Sequence, residues 1–152
     1  MSGYKTHCSF NVFLALPALV GAQFYMHKPE SVYLATFVGA FVYTTFFMSP
    51  DLDLVHNIRL RSVRGFFSVP FRAYSNVFCH RGVSHSFLFG SLTRIMWLGG
   101  IALMAFFLLY QTLPSTNSFL HCCKQYKGFL IYGFAGICLA DWCHLLLDLK
   151  LR

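Results

Sequence analysis

Four long apolar runs separated by polar segments dominate the chain, and they predict four helices. The runs cover residues 10–26, 31–48, 87–110 and 128–147, and they contain very few charged side chains. Their lengths fall in the range of about 17–25 residues that a helix needs to cross the hydrocarbon core of a bilayer. The predicted fold is therefore an all-α, polytopic membrane protein with about four transmembrane helices, forming one membrane-embedded domain over residues 1–152.

The polar segments between these runs predict the connections. His27-Lys28-Pro29-Glu30 is a short turn, so the first two helices should form a hairpin, and Pro50 should stop the second helix. The segment 111–127 contains Pro114 within a Ser- and Thr-rich stretch, followed by two lysines, and it is predicted to be a loop.

The segment 51–86 differs from the rest because arginines alternate with aromatic residues in it. The arginines and aromatic residues are Arg59, Arg61, Arg64, Arg72, Phe66, Phe67, Phe71 and Tyr74. Guanidinium groups bind lipid phosphates, and aromatic rings favour the interface of a bilayer. We expect this segment to be a cytoplasmic loop along the membrane surface, with membrane lipids as partners, although an ordinary solvated basic loop has the same composition.

Composition supports the membrane class and argues against two others. The chain is 57% apolar and 11% charged, with a mean hydropathy of +0.57, whereas soluble proteins are about 45–50% apolar and about 25% charged. A soluble helical protein would have to bury all four runs, and 152 residues provide too little interior for that. The net charge of +7 suggests nucleic acid, but no helix carries a basic face, so no nucleic-acid partner is expected.

If four helices alternate across the membrane, four of the seven histidines and all four aspartates gather at one end of the bundle. These residues are His7, Asp51, Asp53, His80, His85, Asp141, His144 and Asp148. Most basic residues gather at the same end: Lys5, Arg59, Arg61, Arg64, Arg72, Arg81, Lys150 and Arg152. The positive-inside rule makes this end cytoplasmic. We expect a multi-pass protein of the cell inner membrane with both termini in the cytoplasm.

The last helix carries three titratable groups on one stripe. Asp141, His144 and Asp148 are spaced i, i+3 and i+7, which places them on one face. On an apolar helix such groups are costly unless they are paired or bind a metal. The alternative is a helix end that emerges into the interface, with Asp148 solvated and His144 buried for structural reasons.

Two further motifs contain metal-ligand chemistry. In Ser-Pro-Asp-Leu-Asp, a cation between Asp51 and Asp53 would remove the repulsion of two close carboxylates, although Asp51 alone also suits a helix cap. In His-Arg-Gly-Val-Ser-His, a glycine turn could bring His80 and His85 together, and Arg81 could bind a phosphate or serve as an ordinary anchor charge. Imidazole and carboxylate ligands together suit zinc, manganese or ferrous iron.

Two isolated residues complete the candidate site. His7 precedes the first apolar run, and the topology brings it to the same end, although a lone histidine there is often structural. Arg94 lies within the third run and should either extend to the interface or pair with an acid of the site. The predicted metal ligands are thus His7, Asp51, His80, His85, Asp141 and His144, and the predicted catalytic residues are Asp53, Arg81 and Asp148.

These motifs resemble two related families. Lys-x-His at the start, Ser-Pro-Asp-Leu-Asp, His-Arg-Gly-x-Ser-His-Ser and Asp-x-x-His-Leu-Leu-Leu-Asp are similar in order to motifs of the bacterial membrane-bound metal-dependent hydrolases (YdjM-like) and of a family of uncharacterised metal-binding proteins. The resemblance covers nearly the whole chain. It implies a metal-dependent hydrolase whose site contains the histidines and aspartates named above.

The predicted function is metal-dependent hydrolysis at the cytoplasmic membrane interface. One or two divalent ions would activate a water molecule, with Asp53 or Asp148 as general base and Arg81 binding an anionic substrate. The basic aromatic loop favours a lipid or lipid-linked phosphoester as substrate. The alternative is a non-enzymatic metal-binding or transport protein. Transport would place acids near the middle of the membrane, whereas here they gather at one end.

Overall fold

The computed structural model describes residues 4–48, 62–77 and 89–150. Within these ranges the regular structure is helical, which confirms the all-α prediction. The helices are α1 (Tyr4–Phe10), a π-helical turn (Asn11–Ala15), α2 (Leu16–His27), α3 (Ser31–Phe47), α4 (Val63–Phe67), α5 (Val69–Val77), α6 (Phe89–Tyr110), α7 (Thr116–Gln125) and α8 (Lys127–Lys150).

Within the described residues, three stretches of helix are long and apolar enough to cross a membrane. They are Thr6–His27, Phe89–Tyr110 and Lys127–Leu149. Helix α3 is as apolar as these but has only 17 residues, which is the lower limit for a span. The prediction of four spans therefore stays a prediction for α3.

The first helix runs from α1 into α2 through the π-helical turn, which ends two residues before Pro17. A π turn contains more residues than an α turn, so it offsets the rotation that a spacing of four residues accumulates in the preceding α-helix of 3.6 residues per turn. His7, Asn11 and Ala15 follow this spacing, and all three are buried. The turn therefore keeps one continuous stripe of the first helix facing the bundle.

Among the described helices, α3 and α8 pack together most extensively, and Gly136 permits their close approach. A Cβ atom at Gly136 would lie 2.6 Å from the Phe37 carbonyl oxygen and 3.1 Å from the Phe41 nitrogen. Small residues permit such close approach of membrane helices. Ala15 of the first helix packs on the core that Phe37, Phe41 and Ala140 form. The first helix therefore packs against both α3 and α8.

Residues 62–77 contain two short helices, α4 and α5, rather than the predicted loop. Phe71 and Tyr74 are buried against Met48, because they lie on the same face of α5. Trp97 of α6 donates a hydrogen bond from Nε1 to the Pro70 carbonyl oxygen at 2.8 Å. Two of the aromatic residues predicted to lie at the lipid interface, Phe71 and Tyr74, are therefore core residues between α3 and α6.

The prediction of a loop over residues 111–127 is wrong as well, because this segment contains α7. Its start is capped by Ser115, whose hydroxyl accepts a hydrogen bond from the Ser118 backbone nitrogen at 3.2 Å. A serine cap is a common helix start. The segment is polar and has no apolar periodicity, so its sequence did not predict this short helix. Helix α7 connects the end of α6 to the start of α8, at the end of the bundle opposite the candidate site.

Candidate metal centre

Two histidines and one aspartate from the two ends of the chain meet at one end of the bundle. The Nε2 atom of His7 lies 3.1 Å from Oδ1 of Asp148, and the Nε2 atom of His144 lies 3.6 Å from Oδ2 of the same carboxylate. The two imidazole rings stack with centroids 3.9 Å apart and planes inclined by 18°. One carboxylate is therefore shared by two parallel imidazoles.

The helices place these side chains for simple reasons. His144 and Asp148 are four residues apart in α8, so they lie on one face and one turn from each other. His7 comes from α1, which packs beside the last turns of α8. Both histidines are almost fully buried, whereas the Asp148 side chain is 26% exposed. The group is consequently open on the side of Asp148 and closed on the side of the imidazoles.

The spacing and the chemistry of the three side chains fit a divalent transition metal. One potential ligand atom from each of the three residues lies within 4.8 Å of the other two. Ligands bound to zinc at about 2.0–2.2 Å in a tetrahedral arrangement lie about 3.4 Å apart, close to the 3.1 and 3.6 Å separations here. His7, His144 and Asp148 would therefore hold such an ion with small movements of their side chains.

A layer of polar contacts lies one helical turn farther into the bundle. The Nδ2 atom of Asn11 donates hydrogen bonds to Oγ1 of Thr45 at 3.3 Å and to the Ala140 carbonyl oxygen at 3.2 Å. The thiol of Cys8 lies 3.8 Å from the Thr45 carbonyl oxygen. These contacts connect the first helix with α3 and α8. They fix the position of His7 along the axis of α8.

Asp141 lies in a separate buried ion pair. Arg94 donates a hydrogen bond from Nη1 to Oδ1 of Asp141 at 2.7 Å, and Ser91 donates one to Oδ2 at 2.6 Å. The same guanidinium nitrogen lies 3.1 Å from the Met48 carbonyl oxygen. Of the two alternatives expected for Arg94, the structure shows the pairing with an acid rather than an extension to the interface. The contact joins α6 to α8 and to the last turn of α3.

The predicted site residues thus fall into three sets. The structure brings His7, His144 and Asp148 together. It places Asp141 beside Arg94, with both carboxylate oxygens engaged. The remaining predicted site residues lie outside the described residues, and they are Asp51, Asp53, His80, Arg81 and His85.

Two residues of this region were missed at the level of sequence. Asn11 was overlooked because it lies in an apolar run, although a lone amide four residues after His7 is itself a signal of a buried polar contact. Ser91 was overlooked because serine is common in helices and nothing in its neighbourhood marks it. Both are almost fully buried, and both donate to residues of α8.

The fold and the site define a class of protein: an all-helical chain, apolar enough to cross a membrane, with a His/Asp group that fits a divalent metal. The chain belongs to a family described as uncharacterised metal-binding proteins (DUF2227), because the model of this family matches residues 2–151. No curated protein and no solved structure matches the chain. The family supports the metal-binding part of the resemblance noted above, but it does not support the YdjM-like hydrolase part.

Proposed function

We propose that this protein binds one divalent transition metal through His7, His144 and Asp148. The observation that carries the proposal is the convergence of two buried imidazoles on one carboxylate, with separations of 3.1 and 3.6 Å. The family description is independent support, since it names metal binding without assigning residues.

The composition of this group favours zinc, manganese or ferrous iron. Imidazole is a preferred ligand of zinc and iron, whereas calcium and magnesium prefer oxygen ligands alone. Two histidines with one carboxylate are also the ligand set of several catalytic metal sites, in which a further position is open to water. Asp148 forms the partly exposed edge of the group, and this is the side from which a substrate would approach.

The location that we propose for this centre is the cytoplasmic end of a membrane bundle. His7 lies near the start of one candidate span, and His144 lies near the end of another. The basic residues of the chain cluster in the sequence near this same end, which supports a cytoplasmic orientation. Lipid headgroups would then surround the centre, and membrane lipids are the partners that we expect for it.

The finer proposal is a metal-dependent hydrolase that acts on a phosphoester of a lipid or lipid-linked substrate. A bound divalent ion supplies Lewis-acid chemistry for such a reaction and favours ionisation of water near neutral pH. In this proposal His7, His144 and Asp148 hold the ion and orient it. Asp53 is the proposed general base and Arg81 the proposed anion-binding group. Both assignments come from the sequence, since these two residues lie outside the described part of the chain.

A non-enzymatic metal-binding or transport protein is the second candidate. The family description favours it, because it names binding and no reaction. The two candidates share the metal centre and differ only in whether a bond is broken there.

One experiment tests binding and hydrolysis together. The detergent-purified protein is stripped with a chelator, reloaded with zinc, manganese or ferrous iron, and assayed for phosphate or headgroup release from vesicles that contain a panel of phospholipids. His144→Ala should lose both metal and activity. His121→Ala is the matched control, because His121 is exposed on α7 at the far end of the bundle. It should retain both.

The outcomes separate the proposals. Metal-dependent release by the wild type and by His121→Ala, but not by His144→Ala, supports the hydrolase. Metal binding without release of any headgroup overturns the hydrolase and leaves the binding protein. Equal metal binding by the wild type and by His144→Ala overturns the proposed centre itself.

A further inference from the structure

Asn11 is the one amide side chain that contacts both neighbours of the first helix within the described part of the chain. It is 1% exposed and begins the π-helical turn, four residues after His7. Its Nδ2 atom lies 3.3 Å from Oγ1 of Thr45 in α3 and 3.2 Å from the carbonyl oxygen of Ala140 in α8. A single side chain therefore ties three helices together.

The Asn11–Ala140 contact lies one helical turn from the His7–His144 contact on both helices. Ala140 precedes His144 by four residues, just as Asn11 follows His7 by four residues. One turn of helix separates each member of the Asn11–Ala140 contact from the corresponding histidine. The hydrogen bond thus lies one turn below the stacked imidazoles, and it fixes the height of α1 against α8 at the level that brings the two rings face to face.

The chemistry of the acceptors determines the orientation of the amide. A carbonyl oxygen only accepts, so the NH₂ group of Asn11 must face Ala140. Thr45 accepts from the same nitrogen in this arrangement. An amide group satisfies two acceptors on different helices in this way, whereas an apolar side chain of similar size leaves both without this donor.

We propose that Asn11 is the positioning residue of the metal centre: it sets the separation between His7 and His144, so that both imidazoles reach the same ion. The inference rests on the proposed function, because it concerns the ligands of that centre. Asn11 does not touch the ion. It acts by holding the π turn, and with it His7, at a fixed depth and rotation.

A residue that only stabilises the bundle would have a different signature. Loss of such a residue would lower the unfolding temperature, but the folded molecules that remain would still present both imidazoles to the metal. Loss of a positioning residue changes the ligand set itself. The number of imidazoles bound at saturating metal therefore distinguishes the two roles.

The test compares Asn11→Leu with Gln23→Leu in detergent-purified, zinc-loaded protein. Leucine has the same number and branching of side-chain heavy atoms as asparagine but donates no hydrogen bond. Gln23 lies on the same first helix, and its Oε1 atom has no hydrogen-bond partner among the described residues, so its replacement serves as the matched control. X-ray absorption at the zinc edge counts the imidazole ligands, and competition with a chromogenic chelator measures the affinity.

We expect Asn11→Leu to bind zinc with one imidazole fewer than the wild type and with an affinity lower by about 10–100-fold, the usual cost of losing a supporting contact around metal ligands. Gln23→Leu should retain the wild-type spectrum and affinity. Asn11→Leu with the wild-type number of imidazoles overturns the inference, whether its affinity changes or not. A wild type that binds no zinc overturns the proposed function instead, before Asn11 is tested.

Thr45→Val provides a second route if Asn11→Leu does not fold. It removes one acceptor of the Asn11 amide while it keeps the shape of the side chain. We expect a smaller loss of zinc affinity, about threefold to tenfold, with a weakened imidazole signal. An unchanged affinity and signal in Thr45→Val overturns the inference.

Discussion

The imidazole rings of His7 and His144 stack at a centroid distance of 3.9 Å, although the two residues lie near opposite ends of the chain. This contact requires the first helix and α8 to lie side by side at a defined height. Asp148 then lies within 3.6 Å of both rings. The proposed metal centre therefore depends on how the first helix packs against α8.

The close approach of α3 and α8 should be sensitive to a single methyl group. Gly136→Ala places a Cβ atom 2.6 Å from the Phe37 carbonyl oxygen, so the backbones must separate. We expect a loss of about 1–3 kcal/mol in unfolding free energy, the usual cost of overpacking. Gly133→Ala is the control, because its Cβ atom would make an ordinary 3.8 Å contact with Thr36.

Thermal unfolding in detergent, followed by circular dichroism, measures both glycine variants. The expected result is a lower unfolding temperature for Gly136→Ala and little change for Gly133→Ala. If the two variants unfold at the same temperature, the helices do not approach each other at Gly136 as described.

The buried ion pair should show strong coupling between its partners. Asp141→Leu removes the carboxylate from the buried Arg94 guanidinium, and breaking such a pair costs about 3–5 kcal/mol. The double variant Arg94→Met/Asp141→Leu removes both charges, and it should recover most of this loss because two apolar side chains of similar volume often replace a buried pair at little cost. Chemical denaturation of the two single variants and the double variant measures the coupling energy.

The same double variant tests the predicted ligand role of Asp141. Both oxygens of this carboxylate are engaged by Arg94 and Ser91, so we expect the folded double variant to retain its metal. Metal analysis of the purified variant checks this. Loss of metal from a stable, folded double variant would return Asp141 to the ligand set.

Metal affinity should fall as the pH is lowered. An imidazole must be neutral to bind a metal, so each bound histidine releases a proton if it was protonated beforehand. Each proton that the metal must displace weakens binding by up to about tenfold per unit of decrease in pH. Titration of the metal-free protein with cobalt at several pH values measures the slope. A metal affinity that does not change with pH contradicts ligation by histidine.

The proposed orientation in the membrane can be tested with a native thiol. Cys122 is exposed on α7, at the end of the bundle away from His7. A membrane-impermeant maleimide added to intact cells should label Cys122, and labelling should disappear in the Cys122→Ser/Cys123→Ser variant. Thr6→Cys, in that serine background, lies next to the metal centre and should react only after the membrane is permeabilised. Labelling of Thr6→Cys in intact cells contradicts the orientation.

Much of the helical architecture could be predicted from hydropathy, because a long apolar run leaves few alternatives to a helix. The third run was expected at 87–110, and α6 spans Phe89–Tyr110. The short helices α4, α5 and α7 could not be predicted in the same way. Their stability comes from tertiary contacts such as that of Trp97 with Pro70, or from a cap such as Ser115, and neither depends on hydrophobic periodicity.

The candidate site was predictable in part, for reasons that α8 illustrates. His144 and Asp148 are four residues apart, and this spacing alone predicts that they lie on the same face of α8. The spacing of Asp141 also places it on that face, but Asp141 is about 10 Å from Asp148 along the helix axis, too far for both to bind one ion as neighbouring ligands. The extended side chain of Arg94 reaches Asp141 instead. Sequence spacing gives the direction of a side chain, whereas its partner depends on how neighbouring helices pack.

The metal content of the purified protein reports directly on the centre formed by His7, His144 and Asp148. Plasma mass spectrometry of detergent-purified protein should find near-stoichiometric zinc, manganese or iron in the wild type. His7→Ala and His144→Ala should each lose most of it, since the two residues share one ion, while His27→Ala at the far end of the first helix should keep the wild-type content. A wild type that carries no metal and takes up none on reloading, or a His7→Ala variant that keeps the full content, would show that these residues do not form a metal centre.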